Sequence, residues 1–264
     1  MVRAKKRFSQ NFLVDHNLAE KIVGLLNIQK DDVVFEIGPG HGILTHLIAD
    51  FGAKLFSFEI DSELVKELQA EFKDYSNVEI VGTDFLKVEP EKFTQGKFKL
   101  IGNIPYDITS PIIDWITKYR RHLTVGVITA QKELADRISS GPNSKNWAPI
   151  SIFAQCYYRI TSVLTIPPTA FRPKPRVYSS TLLFEPAENY DIEDWDYFEK
   201  VVRQSFRNRR KLLTNNLADF EGLTKSSLDG ILEKAGLPKL VRAEQVDIGQ
   251  FIILSRQIKA SVLS

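Results

Sequence analysis

The chemistry-bearing side chains of this chain stand where apolar runs give out. The run Val33–Ile37 carries Glu36 and ends in Gly38-Pro39-Gly40-His41-Gly42. Glycines there let the backbone turn sharply and come close to a ligand. Their spacing is G-x-G-x-G. The dinucleotide fingerprint needs a glycine where Ile43 stands, and the Lys-Ser/Thr of a P-loop is absent. The next run ends in Glu59, about twenty residues further on, where a carboxylate can take both ribose hydroxyls. A third ends in Asp84, which can accept a hydrogen bond from an exocyclic adenine amine. Any of these carboxylates alone is more often a solvated or helix-capping acid. On successive run ends they describe an adenosine site. Glu36 adds negative charge, which suits a sulfonium or an ammonium and excludes a pyrophosphate.

A fourth run, Lys97–Ile101, leads into Gly102-Asn103-Ile104-Pro105-Tyr106. Asn103 offers a carbonyl acceptor, and its amide can also donate. The peptide carbonyl of Ile104 sits beside Pro105, which cannot donate. Tyr106 offers a flat face on which a base can stack. Two acceptors beside a ring suit a planar aryl amine, whose lone pair is delocalised. Accepting its N–H bonds helps pyramidalise the nitrogen and aim the lone pair at an electrophile such as a sulfonium methyl. By itself Asn-x-Pro is equally a turn; after three adenosine-type run ends the chemical reading is the stronger one.

Such side chains need a scaffold that delivers them to one edge. Strand-like runs (33–37, 54–58, 78–81, 97–101, 123–130) alternate with helix-like stretches (43–50, 62–72 with Ser62 as N-cap, 108–119, 131–138). This alternation predicts an α/β fold with a parallel sheet covered by helices. The β-rich runs 158–166 and 177–185 are expected to close it with an antiparallel edge. After Pro186 the pattern becomes helical: Trp195, Phe198, Val202 and Phe206 repeat at helical spacing, and helices follow near 209–217, 225–235 and 248–258. The expected domains are 1–186, carrying the sheet, and a smaller helical 187–264.

The 264 residues are 43% hydrophobic with net charge +2, so bulk charge does not mark a partner. The distribution says more: Arg3, Lys5, Lys6 and Arg7 crowd the N-terminal arm. Arg203, Arg207 and Arg210 recur at i, i+4, i+7, with Arg209 and Lys211 beside them. They are expected to share a helix face, either simply solvated or binding RNA phosphates. The single cysteine, Cys156, excludes a disulfide framework or a cysteine-based zinc site within the chain. The four histidines lack metalloprotease spacing, and no metal site is expected. No apolar run reaches the length of a membrane span, and the arm lacks the apolar stretch of a secretory signal; a cytoplasmic protein is expected.

Together, "SQNFLVD", "EIGPGHGILT", "GTDFL", "GNIPYDITSP" and "FRPKPRVYS", in this order, resemble the motifs of the KsgA (RsmA) family of ribosomal RNA adenine dimethyltransferases. "FRNRRKLLTNNL" and "VRAEQVDIGQFIIL" are similar to that family's C-terminal helical domain, so the resemblance spans nearly the whole chain. It implies a Rossmann-like S-adenosylmethionine-dependent methyltransferase sheet with a small C-terminal helical domain. It also implies a reaction: N6,N6-dimethylation of two adjacent adenosines in a hairpin loop near the 3′ end of small-subunit (16S) ribosomal RNA. Carried onto this chain, Asn11 and Leu13 would cover the cofactor, with Gly38 and Gly40 approaching it. Glu59 would take the ribose and Asp84 the adenine, with Ile60 and Phe85 also binding the cofactor. Asn103 would contact the cofactor or the target amine and, with the Ile104-Pro105 main chain, orient that amine; Tyr106 would stack on the target adenine and Phe171 on its other side. Arg203, Arg207, Arg210 and Lys211 would bind RNA. The implied partner is a 30S-type pre-ribosomal particle, met by a monomer.

The chain departs from the usual family pattern at Asp107, Trp147 and Tyr178, which bears on substrate-loop contacts. Erm-type enzymes, which modify one adenine of large-subunit RNA, share the fold; the helical segment favours the small-subunit reading. A non-catalytic ribosome-assembly factor on this fold would show a damaged cofactor site, and the residues above are all present.

Overall fold

The computed structural model describes residues 11–105, 108–187 and 190–263. In chain order the elements are β1 (Phe12–Leu13), α1 (His16–Gly24), β2 (Val33–Ile37), α2 (Ile43–Ala49), β3 (Lys54–Glu59), α3 (Ser62–Glu71), β4 (Val78–Gly82) and β5 (Phe98–Asn103). Then come α4 (Thr109–Lys118), β6 (Leu123–Gln131), α5 (Lys132–Ile138), α6 (Pro149–Gln155), β7 (Tyr158–Ile166), β8 (Phe171–Arg172) and β9 (Ser179–Pro186). The last are α7 (Trp195–Ser205), α8 (Leu213–Leu217), α9 (Lys225–Lys234) and α10 (Ile248–Leu263).

Seven strands form one sheet in the order β4-β3-β2-β5-β6-β9-β7. From β4 to β6 every pairing is parallel; β9 runs antiparallel to both β6 and β7. Central strands of a parallel sheet are covered on both faces and read as near-continuous apolar runs. VVFEI of β2 does so: Val34, Phe35 and Ile37 are buried. Phe35 sits in an aromatic group with Phe56, Phe58, Phe93 and Phe98, stacking on Phe98 at 4.4 Å. From β2 the chain goes to one side for β3 and β4, then crosses to the other for β5 and β6. That reversal places a crevice beyond the carboxyl ends of β2 and β5, where open α/β sheets bind ligands. At this point the two strands crowd each other. A Cβ on Gly102 would lie 2.9 Å from Ile37 Cβ and 3.0 Å from its carbonyl oxygen, so glycine is required immediately before Asn103.

The antiparallel edge is as expected, with β9 inserted between β6 and β7. Two local expectations change. Helix α3 is capped by Asp61, whose carboxylate accepts from Glu63 N–H at 3.1 Å, rather than by Ser62. The helix expected over 209–217 begins only at Leu213.

Two compact units emerge. One comprises residues up to 136 with 158–187; the other comprises 137–157 with the residues after 187. A boundary at 186 leaves 137–157 on the sheet side, whereas here that stretch packs with helices. Trp147 is buried and its indole donates to Val246 O at 2.9 Å. Phe153 meets the rings of Trp195 and Phe198. Helix α7 starts at Asp194, which accepts from Tyr197 N–H, and buries Phe198, Val201 and Val202. Asn216 fastens the end of α7 by donating to Ser205 O (2.6 Å) and Asn208 O (3.1 Å). Among the described residues no helix is long and apolar enough to cross a membrane.

Candidate active site

The turn after β2 is made of residues that only glycine serves well. Gly38, Gly40 and Gly42 have φ of 63°, 60° and 79°, the left-handed region that costs other residues strain. A Cβ on Gly38 would meet nothing within 4 Å, so the turn opens onto free space. Gly40 differs: a Cβ there would lie 2.7 Å from Phe12 Cδ1, because the Phe12 ring rests on it.

Beside this turn Glu59, the last residue of β3, is almost wholly buried. Its Oε1 accepts from the main-chain N–H groups of Ile60 (2.8 Å) and Asp61 (2.9 Å), and its Oε2 from Gly40 at a long 3.4 Å. Three bonds leave about one lone-pair site, on Oε2, of the four or so that a carboxylate offers, and Oε2 otherwise holds only the long bond from Gly40. Burial raises its pKa, and the three N–H groups oppose that rise. Ile60 presents an apolar side chain that is 53% exposed, a suitable wall for a planar ring. Asp84 follows β4, half-buried; one oxygen accepts from Leu86 N–H at 3.0 Å, which fixes the carboxylate at the start of a short 3-10 turn. Phe85 is different. Its ring is core, packed on Phe58 (5.5 Å) and Trp115 (4.4 Å), so only its main chain can serve a cofactor.

Glu36 is fully enclosed. Its Oε2 accepts from Ser57 Oγ (2.6 Å) and Thr45 Oγ1 (2.8 Å), while Oε1 has no hydrogen-bond partner. Burial pushes its pKa up to about 7 despite the two hydroxyl donors. Near neutrality it therefore carries only part of the negative charge that the sequence suggests, and its ordinary state ties β2 to α2 and β3.

At the end of β5, Asn103 donates from Nδ2 to the main-chain carbonyl of Asn11 at 2.9 Å. The bond fixes which way the carboxamide faces and keeps its oxygen as an acceptor. Ile104 N–H donates to Thr129 O (3.0 Å), extending the sheet pairing one residue past the strand. The carbonyl of Pro105 accepts from Ile108 N–H at 3.2 Å as α4 begins. Tyr106 and Asp107 lie outside the described residues, as does the basic arm from Arg3 to Arg7. Leu13 is buried and pairs with Phe171 across the β1–β8 ribbon. Phe171 itself requires a correction. It is expected to face the target base, yet its ring is 1% exposed and belongs to the apolar cluster of Leu13, Ile22, Leu26 and Ala170. A ring so enclosed has no face to offer a base.

In the helical unit the arginines do not share a helix face. Helix α7 ends at Ser205, so only Arg203 is helical; Arg207, Arg210 and Lys211 follow in exposed turns. Arg203 pairs with Glu199 at 2.6 Å and lies 5.1 Å above the Phe153 ring. Arg209 donates to the carbonyls of Lys145 and Trp147, so it holds the 137–157 segment. The expectation that Arg203 groups with Arg207 and Arg210 fails because the chain turns after Phe206. Sequence reasoning also passed over Phe12 of "SQNFLVD", whose ring rests on the glycine turn; an aromatic beside Asn11 was the available signal.

The family model for ribosomal RNA adenine dimethylases matches residues 1–254. The chain belongs to that family. Curated relatives named ribosomal RNA small subunit methyltransferase A include that of Halothermothrix orenii, 34% identical over 97% of this chain and 89% of the relative. Those of Streptococcus pneumoniae strain P1031 (38%, covering 98% and 93%) and Francisella tularensis subsp. novicida (37%, covering 96% and 97%) bear the same name. Among solved structures, the 23S rRNA methyltransferase ErmE is 25% identical with TM-score 0.74, covering 94% of this chain and 100% of that one. A dimethyladenosine transferase from Plasmodium falciparum superposes with TM-score 0.80 at 24% identity, covering 92% and 95%, and so shows the fold. The chain is thus an S-adenosylmethionine-dependent ribosomal RNA adenine dimethyltransferase with a Rossmann-like sheet. Its residues fit that cofactor: the open space before Gly38, the spare acceptor capacity of Glu59 Oε2 and the fixed carboxylate of Asp84 lie at adjacent strand ends.

Proposed function

We propose that this enzyme converts two adjacent adenosines in a hairpin loop near the 3′ end of 16S ribosomal RNA to N6,N6-dimethyladenosine. It would act as a cytoplasmic monomer on a 30S-type pre-ribosomal particle. The observation that carries the reading is the convergence of Gly38, Glu59, Asp84 and Asn103 at the carboxyl ends of β2, β3, β4 and β5 around the topological switch. The small-subunit target is supported by the curated relatives, 34–38% identical and named for it, against 25% for ErmE.

When bound, S-adenosylmethionine supplies an electrophilic methyl group on a sulfonium. Glu59 would take the ribose and Asp84 the adenine amine. The main chain at Gly38 and Gly40 would approach the cofactor, and Asn11, Leu13, Ile60 and the Phe85 main chain would help hold it. Asn103 accepts an N–H of the target amine through Oδ1, and the Ile104 carbonyl held by Pro105 accepts the other. Pulling both N–H bonds out of the ring plane localises the lone pair on nitrogen. Positioning of this kind supplies most of the rate, and the methylated nitrogen sheds its proton afterwards. In the second round only one N–H remains, so one of these two hydrogen bonds is given up and a methyl occupies its place. Tyr106 would stack on the base, which must leave its own stack to enter. Arg203, Arg207, Arg210 and Lys211 would grip RNA phosphates.

The test is transfer of labelled methyl groups to unmethylated small subunits, with large subunits in parallel. About four methyls per small subunit, recovered as N6,N6-dimethyladenosine, is the expected result for two dimethylated adenines. Label on large-subunit RNA alone would overturn the target. Asn103→Ala should reduce turnover by about a hundredfold or more while the fold persists; near-normal turnover would remove Asn103 from the mechanism.

A further inference from the structure

One short segment touches two separate parts of the site and a core ribbon beside it. The main-chain carbonyl of Asn11 accepts the bond from Asn103 Nδ2. The next residue, Phe12, lays its ring on Gly40 and against the His41 ring, 4.4 Å between centroids. Leu13 pairs with Phe171, and Val14 N–H donates to Ala170 O at 2.9 Å. Asp15 then caps α1 by accepting from Leu18 N–H at 3.0 Å. The segment is thus anchored on its C-terminal side by a cap and a two-residue ribbon. Towards Asn11, the Phe12 main chain pairs with Arg172 and its ring packs on Gly40 and His41, which presses the segment onto the site. A glycine is needed for that contact, since a Cβ at position 40 would strike the ring.

We propose that Phe12 is a positioning residue for methyl transfer: wedged on the glycine turn, it holds the Asn11 carbonyl where it sets the carboxamide of Asn103 with its oxygen towards the target amine. A carboxamide can flip by half a turn, which exchanges its acceptor for a donor. A flipped Asn103 would direct N–H groups at an amine that has N–H groups of its own. The Asn11 carbonyl excludes that state, because of the carboxamide's two ends only the nitrogen can donate to it. The glycine turn and the amine acceptor are thereby joined through one ring, so the turn's geometry reaches Asn103 through this segment. The proposal rests on Asn103 being the acceptor for the target amine.

The experiment compares the full chain with Phe12→Ala, Phe12→Leu and Asn103→Ala, measuring methyl transfer to unmethylated small subunits at saturating S-adenosylmethionine. Cofactor affinity is measured separately by calorimetry. Phe12→Ala is expected to lower kcat roughly ten- to hundredfold even at saturation, the scale of loss when a positioning group shifts by about 1 Å. Phe12→Leu, which refills the space over Gly40, should recover most of it. If Phe12→Ala raises only the KM for cofactor and leaves kcat intact, Phe12 is merely a wall of the cofactor site and the proposal is overturned. If Asn103→Ala itself retains turnover, the underlying reading of Asn103 fails instead. Should Phe12→Ala not fold, the wild-type protein decides: the Asn103 side-chain amide should exchange its bonded proton slowly with solvent. Exchange as fast as that of exposed carboxamides would overturn the assigned orientation.

Discussion

Glu36→Gln turns the buried carboxyl of β2 into a measurable quantity. Folding encloses Glu36 completely and leaves Oε1 without a partner, raising its pKa from the ordinary 4.5 to about 7. The folded protein therefore holds this proton more tightly than the unfolded chain. Its contribution to stability is full below about pH 4.5, declines as pH rises, and is lost above about 7. Over that window the loss amounts to roughly 3 kcal/mol at full ionisation. Glu59 acts on Glu36 in the raising direction and His46 in the lowering direction. Both remain in the variant, so the difference between the proteins isolates Glu36. Glutamine keeps an oxygen for Ser57 and Thr45 and cannot ionise; its amide, placed where Oε1 was unpartnered, adds a cost that does not vary with pH. The assay is the thermal midpoint of each protein from pH 4 to 8. The variant should gain on the wild type by up to roughly 3 kcal/mol between pH 4.5 and 7, at about 2–4 °C per kcal/mol, and then run parallel. Curves that stay parallel across that window would refute the reasoning and return Glu36 to an ordinary carboxylate.

The other expectations follow from single contacts. Glu59→Gln should weaken S-adenosylmethionine binding about tenfold or more in calorimetry, because charge-assisted hydrogen bonds contribute about 1.5–3 kcal/mol; an unchanged affinity would move the ribose elsewhere. Phe171→Ala should cost about 3–5 kcal/mol of stability as a core truncation; a protein that melts normally but fails to methylate would restore the ring to the target base. Reversing Arg207 and Arg210 to Glu should weaken binding to small subunits and flatten its dependence on salt; an unchanged slope would mark them as solvated surface.

The sequence by itself determined the sheet and the places where its strands deliver chemistry. Period and composition are local properties: VVFEI followed by G-x-G-x-G can hardly be other than a buried strand entering a tight turn. The positions of Glu59, Asp84 and Asn103 at strand ends follow from counting along such runs. Family membership was legible for the same reason, since the motifs are contiguous. What only the tertiary structure decided involves partners distant in sequence. Phe171 reads like any exposed loop aromatic in "FRPKP", but packing with Leu13 and Ile22 encloses it. Arg203, Arg207 and Arg210 keep helical spacing, but the chain turns after Phe206 and Asn216 holds that turn from eight residues beyond Asn208. Residues 137–157 join the helical unit because Trp147 finds its acceptor on Val246, 99 residues away. The bond from Asn103 to Asn11 spans 92 residues, and the next residue, Phe12, seats its ring over Gly40. Spacing rules describe neighbours along the chain; burial and long-range hydrogen bonds depend on which segments folding brings together.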